Sequence, residues 1–217
     1  MKTFRHSLLA LAAGVSAAII AACATDTTTS PAAARSSSSA VQATATSSPT
    51  FLAPDPTAPA IANPVITFWA KRNVDTTVFM YYTLRPGQTN PTVFLRFRVR
   101  KKSLAYYPNG TPFGPSDSVQ ITISFTDPST RTVEFQPSGL IFDSGNPASL
   151  KLSYLEASDD YNQDGVINNA DSQLEKTFKI WKLDPPNPWQ PQSSKVSTSL
   201  HEVESSVFDF TSYAIAY

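Results

Sequence analysis

Cysteine is nearly absent from this sequence: Cys23 is the only one in 217 residues. A chain with one thiol forms no internal disulfide, so an exported form depends on its core, or on a metal, for stability. Histidine is scarce too, with only His6 and His201. Zinc sites need clusters of Cys or His, and none can be assembled here. Glycine is outnumbered by proline, 7 to 18, so turns are set mostly by the fixed φ of proline rather than by left-handed glycines. Neither sign of charge is in excess, with 17 basic and 17 acidic side chains. That balance speaks against nucleic acid, which calls for a strongly basic face. No apolar run reaches the roughly 20 residues a comfortable membrane helix needs. The sequence also lacks G-x-S-x-G, the turn that presents a serine nucleophile.

What is present begins with a leader. Lys2 and Arg5 precede an uncharged stretch, LLALAAGVSAAIIAA, from Leu8 to Ala22. This is the layout of a secretory signal over residues 1–22. Its end, Ile20-Ala21-Ala22-Cys23, resembles the bacterial lipobox: an aliphatic residue, two small ones and a cysteine. The resemblance implies cleavage before Cys23, a diacylglyceryl thioether on its sulfur and an acylated amine. Several acyl chains hold a protein on a membrane where one alone is marginal. Ala24, rather than Asp, follows the cysteine. By the sorting rules of that family this implies a cell-envelope address at the outer membrane. Loss of the leader takes His6 with it and lowers the basic count from 17 to 15.

Residues 23–62 read as the lipidated cysteine and a disordered tether. Ser, Thr, Ala and Pro dominate, as in SPAAARSSSSAVQATATSSPT, and such a segment buries too little apolar surface to offset its ordering entropy. Its mean reach is roughly 35 Å, longer where PDPTAP stiffens it. Residues 63–217 are one domain's worth of chain.

That domain reads as all-β. Short runs rich in Val, Ile, Phe, Tyr and Thr alternate with Pro, Gly, Asn and Asp turns such as Arg85-Pro86-Gly87-Gln88 and Asp127-Pro128-Ser129. Eleven runs qualify as strands, and only the residues after Ala170 suggest a helical turn or two. The expectation is an immunoglobulin-like antiparallel β-sandwich. In VFLRFRVR, Leu95, Phe97 and Val99 point to one face and Arg96, Arg98 and Arg100 to the other. The arginine row fits an anion site, or a solvated face with acidic partners across the strands. The second half of the domain, from about residue 118, is similar to the ZU-type β-sandwich, named from zonula occludens and netrin-receptor proteins. The likeness rests on Phe135-Gln136-Pro137-Ser138-Gly139-Leu140, Pro147-Ala148, Trp189 and Phe210-Thr211-Ser212-Tyr213-Ala214. It implies an interaction module without chemistry of its own.

One polar stretch stands out: DDYNQDGVINNAD, residues 159–171. Counted from Asp160, Asp or Asn falls at positions 1, 3, 5, 9 and 12, as Asp160, Asn162, Asp164, Asn168 and Asp171, with Gly165 at 6. This matches the EF-hand spacing with Asp in place of the closing Glu, and DYNQDGVINNAD resembles the dockerin-type loop along its length. Ca²⁺ takes six to eight oxygen ligands, and alternate residues of a tight loop aim their oxygens inward. The ligand set is Asp160, Asn162, Asp164, the Val166 carbonyl, Asn168 and Asp171, with Ile167 expected to pack beneath the loop. A polar hairpin tip draws on the same residue types, but it does not need three carboxylates to converge. The loop is expected as an insertion between two strands, with Ca²⁺ fixing their register.

His201 has no accompanying acid or nucleophile in its surroundings, so it reads as a strand-edge residue rather than a base. The functional expectation is a non-enzymatic, membrane-anchored interaction or structural module stabilised by Ca²⁺, with a protein or glycan partner. The alternative is a carbohydrate-binding or adhesive lipoprotein using aromatics such as Trp69, Trp181, Trp189, Tyr81, Tyr82, Tyr106 and Tyr107, or the arginine row.

Overall fold

The computed structural model describes residues 48–217. The leader, Cys23 and most of the expected tether lie outside the described residues. Two antiparallel sheets face each other. The first begins at an edge with β1 (Val65–Lys71) and continues through β5 (Ser118–Asp127), β6 (Thr132–Gln136), β13 (Ser212–Ala216) and β9 (Lys179–Leu183) to β10 (Gln190–Pro191). The second runs β11 (Ser194–Ser197), β12 (Glu202–Val207), β8 (Ala148–Ser153), β3 (Val93–Val99), β2 (Thr76–Tyr81). A small ribbon pairs β4 (Leu104–Tyr106) with β7 (Ile141–Phe142), and one helix, α1, covers Asn169–Glu175. The all-β antiparallel sandwich expected from the sequence is what is found. The two strands missed, β4 and β10, are three and two residues long, too short to show a period. Pro191 cannot donate to a ladder, and β10 accordingly lies on a sheet edge.

Alternation builds the core. Leu95, Phe97 and Val99 are fully buried on β3 while Arg96 and Arg98 are exposed, and Ile121 and Ile123 do the same on β5. The two sheets meet through aromatic rings. Phe97 of β3 packs 4.9 Å from Phe135 of β6 and 5.7 Å from Phe210, and Phe135 stands edge-on to Tyr213 of β13 at 5.7 Å. Truncating one such buried Phe to Ala costs about 3–5 kcal/mol.

Phe94 breaks the alternation, being buried beside buried Leu95. The β2–β3 register explains it: Met80 faces Leu95 and Tyr81 faces Val93, leaving Phe94 as the extra residue of a bulge. The bulge turns its ring inward, against Tyr82 at 5.6 Å and Phe125 at 5.2 Å.

The tether boundary needs correction. The disordered segment was expected to run to residue 62, but from Thr50 onward the chain is laid along the sandwich. Thr50 and Tyr217 exchange backbone hydrogen bonds of 3.0 and 3.1 Å. Isolated bridges join Phe51 to Ala216, Pro54 to Ala157 and Ile61 to Tyr82, and Leu52 is buried. Composition hides this strap because its prolines look like linker. Three apolar side chains, Phe51, Leu52 and Ile61, are enough to dock it, and prolines lacking N–H suit a segment that bonds the sheet only intermittently.

Candidate metal centre

The loop of residues 159–171 lies between β8 and α1, and β9 follows. β8 belongs to the second sheet and β9 to the first. The connection therefore crosses from one sheet to the other. It is an insertion between two strands, as expected, but those strands are not paired, so the expectation that it clamps their register is corrected. β8 draws its register from β3 and β12, and β9 from β13.

Side chains hold the loop's bend. Asp160 accepts from the Asp164 N–H at 3.1 Å through one oxygen and from the Gly165 N–H at 2.8 Å through the other. Asn162 accepts from the Asp164 N–H at 3.0 Å, and Asp164 from the Val166 N–H at 2.8 Å. Gly165 sits at φ +85°, a conformation a Cβ would strain. The side-chain oxygens of these three alternate residues are thus turned toward the backbone N–H groups of one bend. The Val166 carbonyl accepts from the Asn168 side-chain amide at 3.0 Å.

Asp171 has a different place. It is 2% exposed. Its Oδ2 accepts from the Asn168 N–H at 2.9 Å while Asn168 caps α1 by accepting from the Ala170 N–H at 2.7 Å. This is a capping box, satisfying the helix's first donors. Its Oδ1 accepts from the Tyr161 N–H at 2.8 Å and the Asn162 N–H at 3.2 Å. The carboxylate clasps the start of the loop to its end. The Asn168 N–H foremost, against the opposing effect of burial, and then the Asn162 and Tyr161 N–H groups hold its pKa below the usual carboxylate value. Three of about four lone-pair positions are used, which leaves room for one further bond at Oδ2.

The loop is seated by Tyr161, not by Ile167. Ile167 was expected beneath the loop and is 69% exposed. Tyr161 is buried, edge-on to Phe178 at 4.9 Å and 6.4 Å from Tyr154. The Tyr217 hydroxyl donates to the Tyr161 carbonyl at 2.7 Å. The sequence signal for this seat was an aromatic at an otherwise polar loop start, with Tyr154 and Phe178 flanking the loop.

Among the described residues, no three His, Cys, Asp or Glu side chains converge as a preformed cage. Nor does any Lys or Arg among them pair with Asp159, Asp160, Asp164 or Asp171. The donor set is oxygen-only, as a hard cation requires.

The other candidate residues lie elsewhere. Arg96 stands in register between Phe79 and Lys151 on the outer face of the second sheet. Arg98 pairs with Asp75 at 3.2 Å, Arg100 reaches the Pro147 carbonyl at 3.5 Å, and Glu202 and Glu204 hold Lys151 at 3.4 and 3.3 Å. Acidic side chains are thus interleaved with the arginine row. Trp181 is buried with its indole N–H on the Ala216 carbonyl, and Tyr82 is buried. Trp189 packs edge-on to Phe51 at 5.1 Å, and Tyr107 stacks on Phe113 at 3.7 Å. Trp69, on β1, is 59% exposed. His201 closes the β11–β12 turn at φ +50°, edge-on to Tyr154 at 5.5 Å. Compared with known proteins, the chain matches no family model, no curated protein and no solved structure.

Proposed function

We propose that this chain is an exported, lipid-anchored, non-enzymatic module of the bacterial cell envelope, whose sandwich is braced by Ca²⁺ at the inter-sheet crossover. The observation that carries the calcium reading is the oxygen set of Asp160, Asn162 and Asp164, gathered around the Gly165 bend without a basic partner among the described residues. The Val166 carbonyl, Asn168 and one oxygen of Asp171 complete the candidate ligands. A cation there would neutralise carboxylates that otherwise repel. The crossover has no pair of helices to reorient, so the ion's role is structural rather than a switch. The membrane partner is engaged through Cys23, and the ZU-like and dockerin-like stretches of the sequence support an interaction role over catalysis.

The test is calorimetry with and without chelator. Free Ca²⁺ at a hundred times Kd adds about 2.7 kcal/mol, expected to raise the melting temperature by roughly 5–10 °C. An unchanged melt together with no heat of titration would remove the calcium reading. Cys23→Ser is expected to move the protein from the membrane fraction to the soluble one.

A carbohydrate-binding reading is favoured by one local feature. Phe79 and Tyr81 stack at 5.9 Å on β2, and Arg96 lies directly across from Phe79. Sugars stack on such rings beside a cation. A glycan array with Phe79→Ala as control separates this reading from a purely structural one.

A further inference from the structure

A sheet edge is a row of unmade hydrogen bonds, and proteins blunt such rows with proline, lysine, bulges or short strands. The two facing sheets end in β1 and β10, and in β11 and β2. β10 is two residues long and contains Pro191. β11 is four residues long, with exposed Lys195 inside it. The strap bonds one end of β2: the Ala62 N–H donates to the Tyr81 carbonyl at 2.9 Å, and just beyond the strand the Thr83 N–H donates to the Ala60 carbonyl at 2.8 Å. β1 has none of these devices. It runs seven residues without proline, keeps an unbroken register with β5 and carries its one charge, Lys71, at its end.

The hydrogen-bond phase of β1 is fixed at both ends. The Phe125 N–H donates to the Pro64 carbonyl at 2.7 Å, and the Arg72 N–H to the Asp117 carbonyl at 3.0 Å. Opposed residues in an antiparallel ladder alternate between bonded and non-bonded pairs. Ile66, Phe68 and Ala70 therefore turn their backbone groups toward β5, and Val65, Thr67 and Trp69 turn theirs away from it. Among the described residues, no backbone group bonds to that outer row. The side chains of the same three residues share the outer face. Trp69 and Val65 are both more than half exposed, and the Thr67 hydroxyl meets that of Thr122 on β5 at 3.0 Å. A straight row of free donors and acceptors is completed by an extended strand.

We propose that this strand is β1 of a second copy of the chain, antiparallel across a two-fold axis at Thr67. The edge is self-complementary in that register. Thr67 meets its own copy, Val65 meets Trp69 on both sides of the axis, and about six backbone hydrogen bonds close. An aromatic opposite a β-branched residue is a favourable cross-strand pair. Lys71 falls opposite neutral Asn63, so no like charges meet, whereas an axis at Phe68 would set Val65 against Lys71. Pro64 does not interrupt the pairing, because its missing N–H lies on the β5 side. From Val65 to Ala70 the edge has no charge that would select a foreign peptide. A seven-residue edge buries less than the roughly 800 Å² per partner of a standard interface, so the dimer is a weak one, with a Kd on the order of micromolar. The contact uses neither the 159–171 loop nor Cys23.

Disulfide trapping and sedimentation of the full chain test this, in a Cys23→Ser background so that an introduced thiol is the only one. The Cα atoms of a bonded antiparallel pair lie about 5.5 Å apart, within disulfide reach. On mild oxidation Thr67→Cys is expected to give a covalent dimer in at least about tenfold higher yield than Gln120→Cys, which lies on the same outer face but one strand in. The parent is expected to dimerise between about 1 and 500 μM. Thr67→Pro is expected to abolish that dimer and leave the monomer folded, since proline is tolerated where an edge N–H faces solvent. Should it fail to fold, Trp69→Lys charges the edge without touching the ladder, and is expected to weaken the dimer about tenfold or more. A monomer throughout the concentration range, equal trapping of Thr67→Cys and Gln120→Cys, or a dimer undiminished by Thr67→Pro or by Trp69→Lys would each overturn the proposal. A dimer that forms only once residues 24–47 are deleted would overturn it as well, and would give the edge to the chain's own N-terminal segment.

Discussion

Asp171 and Arg131 are the two sharply contrasting charges of this molecule. Both are almost wholly buried. Asp171 is satisfied: three backbone N–H groups from both ends of its loop converge on its two oxygens. Arg131 is not, for one of its terminal nitrogens finds nothing. A buried charge is tolerated only when its hydrogen bonds are made. Where they are complete the charge belongs to the architecture, and removing it unmakes a loop. Where they are incomplete the burial carries an uncompensated cost, and removing the charge disturbs the fold less than its burial suggests.

The most damaging way to break this contrast is Asp171→Ala. It strands the Tyr161, Asn162 and Asn168 N–H groups together and removes a candidate calcium ligand. The melting temperature is expected to fall by roughly 10 °C in calorimetry, even with chelator present, because the clasp is a hydrogen-bonding device before it is a ligand. Asp171→Asn keeps one acceptor and turns an amide toward donors, so an intermediate fall is expected. A chelated protein indifferent to Asp171→Ala would show that the metal alone orders the loop.

Acid sharpens the same point with a smaller effect. The folded protein holds Asp171 below the ordinary value of 3.8, so the unfolded chain takes up its proton first as pH falls. The stability it contributes is therefore present above about pH 4 and is lost as pH drops through the depressed folded value. Melting curves between pH 5 and 2, taken as the difference between wild type and Asp171→Ala, are expected to converge at the acid end. Parallel curves would mean the carboxylate is not what the loop depends on.

The difference between these two charges was unequally legible. The spacing of Asp160, Asn162, Asp164, Gly165 and Asp171 is visible in the sequence because it is local. That Asp171 would face inward as a clasp depends on where α1 begins, and Asn168 settles that by capping it. Ile167 was misjudged because an apolar residue in a polar loop suggests burial, whereas Tyr161 buries a larger ring against Phe178 and Tyr154. In the sandwich, period-two alternation exposed eleven strands, including the Leu95, Phe97, Val99 face. Arg131 was invisible. Nothing in DPSTRTV distinguishes it from a solvated turn residue, since its burial requires the Phe94 bulge, Tyr82 from just beyond β2 and a strap that looks like linker. Each of those is long-range, and periodicity carries no information about them.

Arg131→Met tests the other half of the contrast. It removes an unpartnered nitrogen and keeps a stem of similar length, but it also gives up the bonds to Tyr82 and Ser153. These opposing changes are expected to leave a net loss of about 1 kcal/mol, roughly 2–4 °C. Burial pushes the Tyr82 hydroxyl up to about 12, so it stays neutral after the substitution and does not replace one buried charge with another. A fall as large as that of Asp171→Ala would place Arg131 with the satisfied charges.

The smallest effect belongs to a charge that is not buried at all. Arg98 and Asp75 pair at 3.2 Å with about half of each side chain in water. Such pairs are worth about 0–1 kcal/mol because solvent screens them and two long side chains must be held still. Arg98→Ala is expected to shift the melting temperature by no more than about 2 °C, and added salt to erase even that. A larger, salt-resistant loss would show that the arginine row is more than a solvated face. The contrast would then no longer lie between two buried charges, and the outer face of the second sheet would join them as a place where charge is held for a purpose.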